Sequence, residues 1–474
     1  MKQWCAFLPE IILLITALTC LLLSIHRYNH LLGWLSRLGI SSAIVAAYLL
    51  WDQQGIYLND QWMISPLIIF FKCFAYGLTL YMSCQSSIDW LKLTDGFYGE
   101  QTALMLLALV GMSSLMSASS LLIMFLALEL MSLPIYALVA IARTANTTEA
   151  AIKYFMLGAL STGILLYGLS FLFGLTGEIS FTQIHQQLAT VPVHSPWMIL
   201  VCVFSLIGFA FKWGLVPCHT WVADVYEGAK TPIALWIATA TKCAYFVIFY
   251  RFFVGVLSGF HVIWQPLLLI FSLSSILIGH LFALRQIIYK RFLAYSSIAH
   301  MGTMMLGFMI ISSQSYQIAC FYLIIYILST CVGFSILWYV KKYNQGECVL
   351  ISDFRGLNHT YPAAALIMLI LFCSMAGLPP FSGFLAKFLV LHNLIAHQSL
   401  WIAITVLILS AIGLYYYLNL IKVAYFDTKE QDGLLVLCNQ SKSFNTCIWS
   451  FVVAIVLLGV FPNGLMSILN QLFS

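Results

Sequence analysis

Five lysines, Lys72, Lys153, Lys212, Lys242 and Lys387, stand inside long apolar stretches of this 474-residue chain, where one carboxylate, Glu129, and one histidine, His300, are expected to sit comparably deep. A charge near the middle of a hydrocarbon layer costs at least about 2.5 kcal/mol on insertion scales, so each such group needs a partner, a water-filled cavity or a way to become neutral. Lys212 and Lys242 are expected near mid-membrane on adjacent helices, where lost hydration and mutual repulsion both favour giving up a proton. Glu129 pulls the other way: a carboxylate near one lysine holds its charge, and withdrawing that influence releases the proton. The set then reads as a switchable relay, and a permanently paired Lys–Glu bridge is the other reading of the same residues. His300, within Tyr295-Ser296-Ser297-Ile298-Ala299-His300-Met301-Gly302, adds an imidazole and hydroxyls able to hold water and pass protons near neutral pH, or it packs against a backbone carbonyl. Lys153 lies four residues into its segment, close enough to extend its ammonium to the interface. Lys387 reads as a proton-exit group or as one reaching the outer interface. His219 is expected to line a helix break, and His280 has no partner that can be named.

The elements that must position these groups are membrane helices. The chain is 62% apolar, with 21 Lys and Arg against 16 Asp and Glu, so only 8% is charged where a soluble domain carries about 25%. A bilayer-spanning helix needs about 20 apolar residues. Such stretches fall at about 9–25, 31–51, 62–83, 100–117, 119–141, 149–175, 197–226, 231–253, 262–284, 292–311, 316–340, 361–395, 400–425 and 444–470, which predicts an all-α polytopic membrane protein of about 14 spans. Barrel strands would be about half as long and alternate in polarity. The 13 cysteines include no C-x-x-C pair and mostly fall within apolar runs, so they read as small packing residues, with no metal site expected. Fourteen Lys and Arg residues fall in loops after odd-numbered segments, against Lys2 and Arg251 on the opposite side. By the positive-inside rule the odd loops are cytoplasmic and both termini lie outside, so the formal charge of +5 is a topology signal and no nucleic-acid partner is expected.

Two segments are interrupted. Phe211-Lys212-Trp213-Gly214-Leu215-Val216-Pro217-Cys218-His219-Thr220-Trp221 places Gly and Pro three apart just after a lysine, and Pro217 cannot donate a backbone hydrogen bond. Gly377-Leu378-Pro379-Pro380-Phe381-Ser382-Gly383 repeats the device, with Lys387 four residues further on and glycines expected to leave room for water. Matching breaks five helices apart point to two internal repeats with a transport path at the breaks. The expected organisation is residues 1–99 as helices 1–3, 100–260 as the first five-helix repeat, 261–428 as a second, inverted repeat, and 429–474 as helix 14.

The runs Glu149-Ala150-Ala151-Ile152-Lys153-Tyr154-Phe155, Phe211-Lys212 through Trp221, Asp224-Val225-Tyr226-Glu227-Gly228-Ala229, Lys290-Arg291-Phe292-Leu293-Ala294-Tyr295-Ser296-Ser297-Ile298-Ala299-His300 and Ala411-Ile412-Gly413-Leu414-Tyr415-Tyr416-Tyr417-Leu418 resemble the antiporter-like subunits of bacterial proton-pumping NADH:quinone oxidoreductase, respiratory complex I. The Asp-Val-Tyr-Glu-Gly run and the lysine at 387 are most similar to subunit N; subunit M carries a glutamate there, and subunit L a long C-terminal helix. The resemblance implies Glu129 and Lys212 as an input pair, Lys242 as connector, His300 as central relay, Lys387 as output, and Lys153 as the lysine of the sixth helix. It implies no cofactor in this chain: FMN, iron–sulfur clusters, NADH and quinone belong to other subunits. It also implies membrane and peripheral subunits as partners, among them neighbouring antiporter-like and small membrane subunits, in the bacterial inner membrane. A subunit of a cation/proton antiporter complex is the alternative. Lys72 has no counterpart in the resemblance, and Cys218 stands where a phenylalanine is usual.

Overall fold

The computed structural model describes residues 6–25, 29–93, 98–342, 346–347, 349–427, 435–437 and 442–473. Lys2, Arg27 and Lys429, counted above for topology, lie outside the described residues. The chain is all-α apart from short strands, and it divides into two compact units, Met1–Trp213 with Gly228–Leu267, and Gly214–Glu227 with Leu268–Ser474.

The first unit contains α1 (Leu8–Ile25), α2 (Asn29–Tyr48), the hairpin β1 (Gly55–Tyr57) and β2 (Trp62–Ile64), α3 (Pro66–Leu93), α4 (Tyr98–Ser117), α5 (Leu121–Ala140), α6 (Ala145–Thr176), the short α7 (Phe181–Leu188) and α8 (Pro196–Trp213). After α9 (Thr220–Gly228) it regains α10 (Thr231–Phe249), which runs into a π-helical turn at Tyr250–Val256. The ends are set by local chemistry. Ser120 caps α5 by accepting from Ile123 N, Thr144 and Thr147 form a capping box on α6, and Gly177 closes α6 at φ +69°. Helix α10 is buried along its whole length, so Lys242 upon it has no route to the lipid.

Helix α11 (His261–Ala283) leads into the second unit, which continues with α12 (Tyr289–Met305), α13 (Ser313–Tyr339), β3 (Val340–Lys342), β4 (Gly346–Glu347), α14 (Leu357–Thr360), α15 (Pro362–Ala376), α16 (Ser382–Ala396), α17 (Leu400–Tyr425), β5 (Leu435–Leu437), α18 (Lys442–Val460) and α19 (Asn463–Phe473). Helix α13 is the buried axis, packed by α15, α16, α18 and α19. Among the described residues eleven helices are long and apolar enough to cross a membrane, and the bent pair α18–α19 makes a twelfth candidate. The remaining expected segments, near 292–311 and 361–395, are the 17-residue α12 and the broken pair α15–α16, each too short to qualify alone. Arg37, one of the fourteen residues counted above in loops after odd-numbered segments, lies inside α2 and donates to Ser83 O at 3.4 Å.

Candidate proton-transfer site

In the first unit α8 delivers Lys212 to its last turn, where the ammonium donates to Ser132 Oγ at 2.8 Å. Ser132 stands three residues after Glu129 on α5, hence on nearly the same helix face. Glu129 is within electrostatic range of Lys212 without touching it, and its Oε1 is buried with no hydrogen-bond partner. The expected input pair is therefore a carboxylate acting through space beside a lysine held by a hydroxyl. Lys242 donates to Trp213 O at 2.7 Å and Lys212 O at 3.4 Å, with its ammonium 5.6 Å from the Trp213 ring. These are carbonyls freed where α8 ends, because a helix terminus leaves its last carbonyls without intrahelical partners.

The second unit takes up the chain beyond that break. Val216 N donates to Ser275 Oγ at 2.8 Å, and Gly214 sits at φ +74°, where a side chain would be strained. The carboxylates of the Asp-Val-Tyr-Glu-Gly run both meet Arg291, Asp224 at 3.0 Å and Glu227 at 2.7 Å. Two of the motifs singled out above thus lock α9 to the start of α12.

At the second break Lys387 reaches back from α16 and donates to Met375 O at 2.8 Å and Ala376 O at 3.1 Å, its chain filling the space beside Gly377 at φ +86°. Gly383 corrects an expectation. A Cβ there would run into Ser374 O, and Gly383 N donates to Ser374 Oγ at 3.1 Å, so the missing side chain marks a close helix contact, while Gly383 still borders the small cavity beside His300.

Water-sized space lies instead around His300. One cavity of about 20 Å³ is lined by His300, Tyr322, Tyr326, Ser329, Ser374 and Gly383, among others; a second, of about 10 Å³, brings together His280, His300, Thr303, Lys387 and Ser410. A single water needs roughly 10–15 Å³ on this measure, so the first holds one and the second is at the threshold. His300 Nδ1 bonds Tyr322 OH at 2.8 Å, Nε2 bonds Tyr417 OH at 3.1 Å, and Ser296 completes the chain on Tyr417.

Three placements differ from the sequence reading. His280, left without a partner, bonds Tyr416 OH at 2.9 Å and shares the Lys387 cavity; the signal was a histidine deep in an otherwise apolar helix. Lys72, left without a counterpart, forms an ion pair with Glu10 at 2.5 Å, so Glu129 is not the only deep carboxylate. Lys153 stays away from the other lysines: it is exposed on α6 and pairs with Glu149 one turn earlier at 2.7 Å. His219 bonds Pro217 O at 3.3 Å, lining the break as expected. Among the described residues no three His, Cys, Asp or Glu side chains converge as a metal site would require.

Broken helices whose freed carbonyls are held by buried lysines define a membrane subunit of the antiporter-like class. Residues 118–413 match the family described as NADH:quinone oxidoreductase/Mrp antiporter, transmembrane. NADH-quinone oxidoreductase subunit N of Laribacter hongkongensis (strain HLHK9) is 37% identical over 97% of this chain and 95% of its own length. A chain of respiratory complex I from Thermus thermophilus with bound aureothin superposes with a TM-score of 0.82 at 29% identity, over 97% of this chain and 99% of its own. A chain of the Mrp complex from Dietzia sp. DQ12-45-1b superposes at 0.84 over 99% of this chain and 97% of its own, but at 18% identity that likeness speaks for the fold alone. The chain belongs to the NADH-quinone oxidoreductase subunit N family.

Proposed function

We propose that this chain carries protons across the membrane as subunit N of a complex I, with Lys212, Lys242, His300 and Lys387 as the groups that take and pass them and Glu129 as the charge that sets the first. What supports the reading is a device present at both breaks: the freed carbonyls are held by a lysine ammonium. An ammonium has three N–H donors. Lys387 directs two of them to Met375 O and Ala376 O. Losing the third proton to water in the cavity shared with His280 and His300 leaves an amine that still makes both bonds. The break keeps its satisfied backbone whether the lysine is charged or neutral, which a relay group requires. At the entrance, Glu129 acts on Lys212 across space, so a change in its surroundings alters the lysine without breaking a bond.

In this reading Glu129 and Lys212 receive the proton, Lys242 connects, His300 relays and Lys387 releases. Oxidation of NADH and reduction of quinone, with the FMN and iron–sulfur clusters they use, belong to partner subunits, and this chain is coupled to them by electrostatic and conformational change. In the same reading both termini lie on the periplasmic side of the inner membrane, as the loop charges favour, with residues 100–260 and 261–428 as inverted repeats. The test is Lys212→Ala in the assembled complex: assembly is retained while proton pumping and coupled quinone reduction fall. Normal pumping by an assembled Ala variant refutes the relay role. Lys212→Arg should also fail, because a guanidinium with a pKa above about 12 does not release its proton on the working time scale.

A further inference from the structure

Glu10 of α1 and Lys72 of α3 are 6% and 3% exposed, and the roles above leave both unused. Ser113 of α4 donates to the same Glu10 oxygen that receives the lysine, and Tyr76 OH lies 2.6 Å from Ser113 Oγ. Glu10 Oε1 thus serves two donors, while Oε2 is buried with none. An unsatisfied buried acceptor costs about 1–3 kcal/mol, so this oxygen marks a place for a water or a proton. Above the pair, Trp62 of the β1–β2 hairpin stands over the ammonium at 5.1 Å and packs with Ala6, Leu50, Ile64 and Ile69 as an apolar cover. The hairpin follows an even-numbered helix, on the side the loop charges assign to the outside.

Along α3, Lys72, Tyr76, Thr79 and Ser83 recur at steps of four, three and four, on one buried face about 16 Å long at 1.5 Å per residue. Thr79 receives Trp236 Nε1 at 2.9 Å, and Trp236 stands on α10, six residues before Lys242. This polar face therefore runs from the Glu10–Lys72 pair to the helix carrying the connecting lysine.

We propose that Glu10 and Lys72 form a further proton-exchange site, opening to the outer side past Trp62 and adjoining the Lys242 helix along the polar face of α3. The proton moves between Glu10 Oε and Lys72 Nζ, converting a charged pair into a neutral one. A static ion pair would look the same in one structure and differs in its response to substitution. The proposal rests on the proton-carrying reading of the subunit, whose own failure would show as normal pumping by Lys212→Ala.

The experiment measures protons pumped per NADH oxidised in vesicles bearing the whole complex, with assembly followed on native gels. Glu10→Gln keeps the size and the Ser113 bond but cannot exchange a proton; Lys72→Arg keeps the charge pair but cannot release one. Both should assemble and pump several-fold less, and the double variant Glu10→Gln/Lys72→Met, which leaves no lone charge, should also assemble and remain impaired. Normal pumping by Lys72→Arg or by the double variant overturns the proposal and leaves a static pair. If the variants do not assemble, labelling of the wild-type complex decides. A hydrophobic carbodiimide, which reacts with protonated carboxyls, should modify Glu10 during turnover as read by peptide mass spectrometry, and an unmodified Glu10 overturns the proposal.

Discussion

The two helix breaks solve one backbone problem with differently placed lysines. At the first, the carbonyls of Lys212 and Trp213 are held from outside the broken helix by Lys242, on a helix buried throughout. At the second, the carbonyls of Met375 and Ala376 are held by Lys387 of the same broken segment, which lies beside a water-sized cavity and two histidines. The first is built by packing between helices on a helix buried throughout; the second is self-contained and borders a water-sized cavity. In a low-dielectric interior a freed carbonyl is satisfied by whatever donor is nearest, so the origin of the lysine decides what the break loses when the lysine goes.

The strongest test of this contrast is Gly383→Leu. Ser374 O occupies the position of the would-be side chain, so α15 and α16 must separate to admit it. Overpacking of this kind costs roughly 1–3 kcal/mol where atoms can shift, and here backbone meets backbone. The variant is expected to fail to assemble on native gels. Assembly with pumping lost would make the cavity that Gly383 borders, and not the helix contact, the feature that the substitution destroys.

Next in size are Lys242→Met and Lys387→Met, compared directly. Each removes the donor from two carbonyls, at about 1–3 kcal/mol per buried group left unpaired. Lys242 stands on a helix buried along its whole length, so the complex should lose thermal stability as well as pumping. At Lys387 a water from the adjoining cavity can bridge to the carbonyls. That complex should keep near-normal stability and lose pumping alone. Equal destabilisation of both variants would erase the distinction between the packed break and the cavity-lined one.

A smaller effect is expected from His280→Phe, which keeps an aromatic ring against Gly413 while removing the bond to Tyr416 and one polar wall of the Lys387 cavity. The complex should assemble and pump less than wild type but more than the Lys387→Met variant. Unchanged pumping would mark the Lys387 cavity as working through His300 alone.

What could be read before the fold was known follows from what is local. Apolar runs of about twenty residues, the Gly and Pro at each break, and lysines within those runs carry their meaning in consecutive residues. Pairings across the fold do not. Glu10 lies in the first turn of its helix and reads as a charge at the membrane edge, until α1 is seen to bring it to Lys72, 62 positions away. Gly383 looks the same in sequence whether its missing side chain faces a cavity or the Ser374 carbonyl. Ser132 carried no signal, because a serine on an apolar helix usually bonds its own backbone. The Arg291 clamp joins two motifs that were visible singly, but their meeting depended on the path of the chain between them.

The smallest effect is expected at Lys153, and it tests whether family position or local geometry predicts importance. The resemblance sets this lysine among the proton-carrying groups, yet its side chain is 44% exposed and its carboxylate partner Glu149 is 66% exposed, one turn away on the same helix. An exposed i,i+4 pair contributes about 0.3–0.5 kcal/mol. Lys153→Ala should therefore leave assembly intact and pumping within about twofold of wild type, since an exposed pair of this kind contributes little. If pumping instead falls as far as in the Lys212→Ala variant, the exposed face of α6 must be covered in the complex by another subunit. Lys153 would then exchange protons with a group outside this chain, and the first unit would have an entrance of its own.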